Sequence, residues 1–561
     1  LQRVTAACGP MIYRGDQFPA EFRGNAFVCE PAGNLVSRQV ISQDGLKITA
    51  KSVQHEGIDF LTSTDERFRP VSLYNAPDGS MYVVDLYHGI LQHKAYLSAY
   101  LADQVQKRNL ANNDGHRGRI WRITHESAKP GPQPKLSKAP VAELVKNLSN
   151  PNGWWRDTSQ RLLVERGDVL AVKLLKNIVA GKDPEATALG KIHALYALQG
   201  LDKLEDEDTA AAAKDADVRV RLAAVRTAEI IVRKHTAPET QKAIVALAKD
   251  PDASVQFQVL VMGSTDLPDV QAAAKEILAH HLDDPIFRGA ALGAFAGREL
   301  EMLQMLIGDR AFGEATAGKR ELFAELAGCV IRSRSGERLE KLLEVVASQP
   351  AGARASQEAI MSGIAAAVAP NPKSKTAPPP RRVRLLREPP ALASLVKHND
   401  KKISDAATRA QEVMSWPGKP GDTTPLLKPF TPEQAARFEK GKELFSQICA
   451  ACHQPTGLGQ DGVAPPLVDS EWALGNPERV GRIALNGLHG PIKVGKKTID
   501  MEMPGLKAMD DEQIASMLTY VRREWGHEAS PIDPPTIAKI RKATEDRGDL
   551  QWTAEELLAI K

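Results

Sequence analysis

The 561 residues imply three or four domains at about 150 residues each. Charged residues make up 25% of the chain and the formal net charge is +3, so no global field directs it to nucleic acid. No uninterrupted apolar stretch reaches the roughly 18 residues of a membrane-spanning helix. Aromatic residues at 5%, beside an Ala-, Leu-, Lys- and Glu-rich middle, exclude an all-β chain. Five cysteines, at 8, 29, 329, 449 and 452, are too few for a disulfide scaffold.

Residues 1–125 read as β structure. Ala26-Phe27-Val28-Cys29 and Met81-Tyr82-Val83-Val84 are strand-like. Ala76-Pro77-Asp78-Gly79-Ser80 is a turn in which Pro presets φ, Asp bonds back to its own backbone and Gly accepts positive φ. Val71–Tyr74, that turn and Met81–Asp85 form a hairpin, and Gly118–Ile123 is a further strand. Cys8 and Cys29 share this region, separated by a plausible hairpin, and are expected to pair in an oxidising compartment, the alternative being two buried free thiols.

From 138 to 365 the apolar period changes to three and four, with Gly/Pro/Asp breaks at short intervals. Asp217–Ala224 has a counterpart in Ala253–Leu260, and aligning Val218 with Val255 gives a period of 37 residues. Echoes recur at Trp155-Arg156-Asp157, Ile192–Leu195 and Phe287–Ala291. Such repeats predict a HEAT-like α-solenoid of stacked helix pairs, suited to scaffolding or to a protein partner. Cys329 falls on an apolar helix there, as a core residue.

Residues 366–430 read as a Pro-rich linker: Ala369-Pro370-Asn371-Pro372 and Pro378-Pro379-Pro380 favour a semi-rigid extended spacer. Its Lys373, Lys375, Arg381, Arg382, Arg384 and Arg387 are expected to be solvated. Residues 431–527 read as a compact all-α domain. Thr431-Pro432-Glu433-Gln434 starts its first helix, and its last runs from near Asp510 to Arg523. Residues 528–561 read as a polar helical tail.

The chemistry lies in Cys449-Ala450-Ala451-Cys452-His453, the attachment signature of c-type haem. Two thiols three positions apart on a helical turn reach both vinyl groups of one porphyrin edge, and the adjacent His453 presents its imidazole to the iron. A structural zinc site would need a second Cys pair, and a thioredoxin-like pair would need a βαβ context. One covalent haem c is therefore expected on Cys449 and Cys452. The sixth ligand is assigned to Met503, because Pro504 stiffens its loop; Met501, His489, Met509 and Met517 are the other candidates. The Pro465 carbonyl, in Ala464-Pro465-Pro466-Leu467, is assigned to orient His453. Gly457–Gly462 matches the dinucleotide fingerprint as a string but follows no strand, so nicotinamide binding is rejected. Haem attachment of this type occurs on the oxidising side of a membrane, which predicts a periplasmic location. The chain starts at Leu1 without an export signal, so either a signal has been removed or the chain begins inside a longer protein.

These residues carry a resemblance. Gly441 and Phe445, the CxxCH run, the Pro-Leu and Met-Pro loops, and Leu518 with Tyr520 are similar to a class I cytochrome c. That resemblance implies that the first and last helices cross near Gly441. The whole chain resembles the multidomain periplasmic cytochromes of planctomycete-type bacteria, often described as membrane-bound dehydrogenase-like. These combine a propeller similar to soluble glucose dehydrogenase, a HEAT-repeat region and a C-terminal cytochrome c. The matching residues include Phe68-Arg69-Pro70-Val71, Pro77-Asp78-Gly79, Trp154-Trp155-Arg156-Asp157, Trp416–Pro420 and Ser470-Glu471-Trp472.

The resemblance implies that residues 1–125 are a partial β-propeller. A propeller needs several four-stranded blades and 125 residues suffice for two or three, so the chain is expected to be the C-terminal portion of a longer protein. A quinone cofactor would sit on the missing part of the propeller. Arg69, Asp85 and His88 are polar candidates for lining such a site, with structural roles the stronger expectation. The leading function is electron transfer through one haem c to a periplasmic electron carrier, as acceptor module of a dehydrogenase. The alternatives are a quinone-dependent sugar or alcohol dehydrogenase with a built-in cytochrome, and a HEAT-repeat scaffold. No catalytic residue is assigned.

Overall fold

The computed structural model describes residues 6–90, 99–111, 117–126, 131–234, 236–307, 309, 316–350, 353–367, 382–421, 429–460, 463–494, 497–500 and 502–560. The chain divides into two units, Leu1–Ala296 and Gly297–Lys561. It is mostly helical, with small sheets.

The first unit opens with two antiparallel sheets. β1 (Cys8–Ile12), β2 (Ala26–Glu30), β3 (Leu35–Asp44) and β4 (Lys47–Val53) form a meander, and β5 (Leu61–Thr62) pairs with the start of β3. β6 (Pro70–Asn75), β7 (Met81–Asp85) and β8 (Arg119–Ile123) form the second sheet. Tyr13, Phe27, Val36, Leu73, Met81 and Val83 alternate inward and join the sheets in one core. The β6–β7 turn has Gly79 at φ +85° and the Asp78 carboxylate accepting from the Ser80 N–H and hydroxyl. Cys8 and Cys29 face each other across β1 and β2. The expected disulfide is not formed: both are free thiols, Cys8 Sγ lies 3.9 Å from the Pro70 carbonyl, and burial pushes the Cys29 thiol up to about 12.

Helices follow in two layers. Gly153–Arg166, Ala188–Gly200, Val218–Lys234, Ala253–Val261 and Pro285–Ala294 pack in succession. Val141–Asn147, Ala171–Val179, Asp206–Ala212, Pro238–Ala246 and Pro268–His280 form the second row. Four helices of the first row begin alike. Asn152, Asp217, Asp252 and Asp284 each accept from the N–H two residues on. The fourth residue after each cap (Arg156, Arg221, Gln256, Arg288) donates to the carbonyl six residues before it. Measured cap to cap, Asp217 and Asp252 are 252 − 217 = 35 positions apart. This corrects the 37-residue alignment: Val220, fully buried, is the counterpart of the fully buried Val255, whereas Val218 is a part-exposed first-turn residue. The apolar string alone matched the wrong valine because the caps, not the first apolar residue, set the register.

The first of these helices also caps the β region. Asn152 Nδ2 donates to the Ala76 and Pro77 carbonyls, and Trp155 Nε1 donates to Pro77 at 2.7 Å.

The second unit begins with two further rows of helices. Ala317–Arg332, Arg354–Ala366 and Lys401–Gln411 make one, and Glu299–Ile307, Gly336–Ala347 and Pro390–Val396 the other. The Pro390–Val396 and Lys401–Gln411 helices correct the linker reading of 366–430. Leu392, Leu395, Ile403, Ala406, Ala407, Ala410 and Met414 are buried, Asp400 caps a helix, and Val383–Arg384 pairs with Met414–Ser415. The prolines dominate the composition, but the three-and-four apolar spacing decides the fold. Lys373, Lys375 and Arg381 lie outside the described residues.

The remaining helices build around Pro432–Leu444 and Asp511–Arg523. Residues 528–561 are not a polar tail: Ile537, Ile540 and Leu557 are buried in the same cores as Leu518 and Leu488.

Candidate cofactor site

Thr431 caps the Pro432–Leu444 helix in a reciprocal capping box with Gln434, and Pro432 occupies the first turn. The helix crosses Asp511–Arg523 at Gly441, where a Cβ would collide with the Ser516 carbonyl. It runs into a π-helical turn, Phe445–Cys449, followed by a single α-turn, Ala450–His453. Such local widening re-aims side chains, a frequent feature of functional sites. Cys449 points inward with Sγ 3.8 Å from Met517 Sδ, and burial pushes its thiol up to about 11; Cys452 is exposed.

His453 is buried with Nδ1 2.9 Å from the Pro465 carbonyl oxygen. Burial holds its imidazole below the ordinary value, against the opposing effect of that hydrogen bond. The approach of Pro465 depends on Gly459. Its φ is +69°, its N–H donates to the His453 carbonyl at 2.9 Å, and a Cβ would strike the backbone of Ala464 and Pro465. With Nδ1 turned to Pro465, Nε2 is the nitrogen available to a metal.

Opposite, Gly487–Leu488 pairs antiparallel with Met503–Pro504. Cys449, Cys452, His453, Pro465, Leu488 and Met503 all line one apolar cavity. An adjoining cavity shares Cys449, His453 and Met503 and is walled by Trp472, Ile483, Val494 and Val521. Two thiols at its mouth, an imidazole of fixed tautomer and a facing thioether in apolar walls suit a haem.

Of the other ligand candidates, His489 lines a different cavity with Glu502 and Lys507, and its N–H donates to the Trp552 carbonyl. Met509 packs on the core of Val480 and Ala484, and Met517 is buried in it. Met501, Asp461 and Gly462 lie outside the described residues.

The polar candidates of the β region have structural partners. Arg69 donates to the carbonyls of His88, Pro31 and Gly89 at 2.6–2.8 Å. Asp85, 1% exposed, accepts from the N–H groups of Arg69 and Tyr87 and from Trp121 Nε1. His88 Nδ1 lies 2.6 Å from the Ile90 carbonyl.

Reading the sequence missed Arg541 and Gln551, which touch the segment around Met503. The signal available was Thr553-Ala554-Glu555-Glu556, a capping box announcing a built helix right after Trp552.

Residues 438–525 match the family model described as Cytochrome c. Residues 1–127 match one described as Domain of unknown function (DUF7133). A search of curated proteins finds no match. Residues 438–525 thus carry a cytochrome c domain, whose family implies covalently bound haem c and electron transfer. Among the described residues, no helix is long and apolar enough to cross a membrane.

Proposed function

We propose that the chain carries one haem c, attached through Cys449 and Cys452 and held axially by His453 and Met503, and relays single electrons to a periplasmic carrier as the acceptor module of a dehydrogenase. The observation that carries this reading is the convergence of all four side chains on one apolar cavity with His453 Nδ1 bound to Pro465. Bound there, a haem supplies the one-electron couple. The chain's own contribution is positional. Pro465 fixes the tautomer of His453, Gly459 lets Pro465 approach, and Leu488, Ile492 and Leu506 keep water from the cavity. Low polarity around the site would favour the less charged redox state of a bound haem, and ligation by His453 and Met503 would raise its potential.

The two rows of helices in each unit support a scaffolding role of HEAT type, and the sheets of residues 6–126 remain compatible with propeller blades. A catalytic quinone site draws no support from Arg69, Asp85 and His88, because the guanidinium is engaged by backbone carbonyls, the carboxylate by two N–H groups and the Trp121 indole, and His88 Nδ1 by the Ile90 carbonyl.

The test is the spectrum of the full chain matured with haem. A low-spin spectrum with the weak long-wavelength band of sulfur-to-iron ligation is expected, and Met503→Ala should abolish that band. A band that survives Met503→Ala sinks the ligand assignment.

A further inference from the structure

Residues 526–560 lie beyond the segment that matches the cytochrome c model, yet they hold the side of the cavity that carries Met503. Gly487–Leu488 is the middle of a three-stranded patch: Met503–Pro504 pairs on one side, and Trp552 on the other. Trp552 N–H donates to the Gly487 carbonyl, and the Trp552 carbonyl accepts from His489 N–H at 2.9 Å. From this strand Gln551 Nε2 donates to the Met503 carbonyl at 3.1 Å. Glycine at 487 makes that approach feasible, since its φ is +83° and a Cβ would strike the Met503 carbonyl oxygen.

Further along, Arg541 grips the chain that leaves Met503. Its guanidinium donates to the Lys507 carbonyl at 2.8 Å, the Met509 carbonyl at 2.6 Å and the Asp511 carboxylate at 2.8 Å. The Gly548 carbonyl accepts from Asn486 Nδ2 and Lys507 Nζ, both at 3.1 Å. Buried Leu557 and partly buried Trp552 close the patch against Trp472, Leu488 and Ile492, with Met503 packed on the same cluster.

We infer that residues 534–560 are a clasp that positions Met503 over the cavity, with Gln551 and Arg541 as positioning residues at the two ends of the 503–509 segment. The inference rests on the reading of Met503 as axial ligand. A two-residue strand pair is too short to hold a loop on its own, and the clasp supplies the missing restraint from outside the cytochrome c segment. Its consequence is control of axial bonding: releasing the clasp lets the thioether leave and an external ligand enter.

The experiment uses the full chain with haem and three variants: Gln551→Glu, which keeps volume but replaces the donor, Arg541→Gln, and Met503→Ala as reference. Readouts are imidazole affinity of the ferric protein, the sulfur-to-iron band, and amide exchange of residues 502–509. For Gln551→Glu and Arg541→Gln we expect imidazole affinity to rise roughly fivefold, the equivalent of one net hydrogen bond. The band should weaken and amide exchange of 502–509 quicken, with exchange of 450–467 unchanged. Wild-type imidazole affinity and exchange in both variants, with the band lost in Met503→Ala, would overturn the clasp and leave the ligand assignment standing. A band that persists in Met503→Ala would overturn the ligand assignment, whereas quickened exchange in the Gln551 and Arg541 variants would still support the clasp as a loop restraint.

Discussion

Two places in this molecule gather polar, chemistry-bearing residues, and they differ in what those residues face. Around Arg69, Asp85 and His88 the polar atoms have protein partners: three carbonyls for the guanidinium, two N–H groups plus an indole for the carboxylate, and the Ile90 carbonyl for His88 Nδ1. Around His453 one ring nitrogen is tied to Pro465, and the sulfurs of Cys449, Cys452 and Met503 border open apolar space. A buried polar group that is fully hydrogen-bonded stabilises its fold and has no capacity left for a ligand. Residues that border a cavity while one atom is fixed by a neighbour are arranged for something to bind. Residue type alone does not separate the two cases.

The sharpest way to test the contrast is to remove each centre and ask what fails. Cys449→Ser with Cys452→Ser should eliminate covalent haem altogether, seen as loss of haem staining on a denaturing gel, while the circular dichroism of the helical regions persists. Asp85→Ala should do the reverse. It removes the acceptor of three part-buried hydrogen bonds, so at about 1 kcal/mol each the stability of the β region should fall by about 3 kcal/mol, read by denaturant unfolding, with the haem spectrum intact. A spectral change in that variant would break the separation drawn here.

Gly459→Ala probes the fixed nitrogen. Its positive φ and the crowding by Ala464 and Pro465 should cost about 2 kcal/mol. The effect should appear in the iron–histidine stretch of the ferrous protein as the hydrogen bond to Pro465 lengthens. The last test is confined to acid pH and concerns a partly buried histidine of the first unit, which belongs with the satisfied class. His193 Nδ1 lies 2.6 Å from Gln160 Oε1, and burial lowers its pKa to about 4, with Asp157 opposing. At that value the 3.9 Å approach to Asp157 is no ion pair at neutral pH. The unfolded chain binds the proton near pH 6.5, so this group's contribution is complete above that pH and is lost as pH falls towards 4. The slope is at most about 1.4 kcal/mol per pH unit. His193→Gln should flatten it in urea titrations at pH 4–7.

Much of the candidate site's geometry was legible because the residues that form it are close in sequence. Cys449, Cys452 and His453 are adjacent in sequence, and covalent attachment demands that spacing. Pro465 lies 12 positions from His453, within reach of one loop. The helix starts at Thr431 and Asp510 were equally legible, since capping is a contest between side chain and backbone within four residues. The linker reading failed where composition was weighed above period. Pro389 and Pro390 look like spacer residues, yet Pro390 sits in the first turn of a helix, where its missing N–H costs nothing.

The repeat register failed for a related reason. The sequence carries the apolar string and the caps together, and only packing shows that the row of helices is indexed by Asn152, Asp217, Asp252 and Asp284.

By itself, then, the sequence determined the attachment motif, the helix starts, the β-turn at Asp78-Gly79 and the change of period along the chain, all properties of residues within a few positions of one another. Tertiary structure decided which polar clusters are satisfied and which border a cavity. It also decided that the final residues close over Met503, because Gln551 is 48 positions from the carbonyl it binds and Arg541 is 32 from Met509. Contacts at that range depend on the packing of Ile537, Ile540 and Leu557, whose burial is a property of the assembled core and of no segment alone.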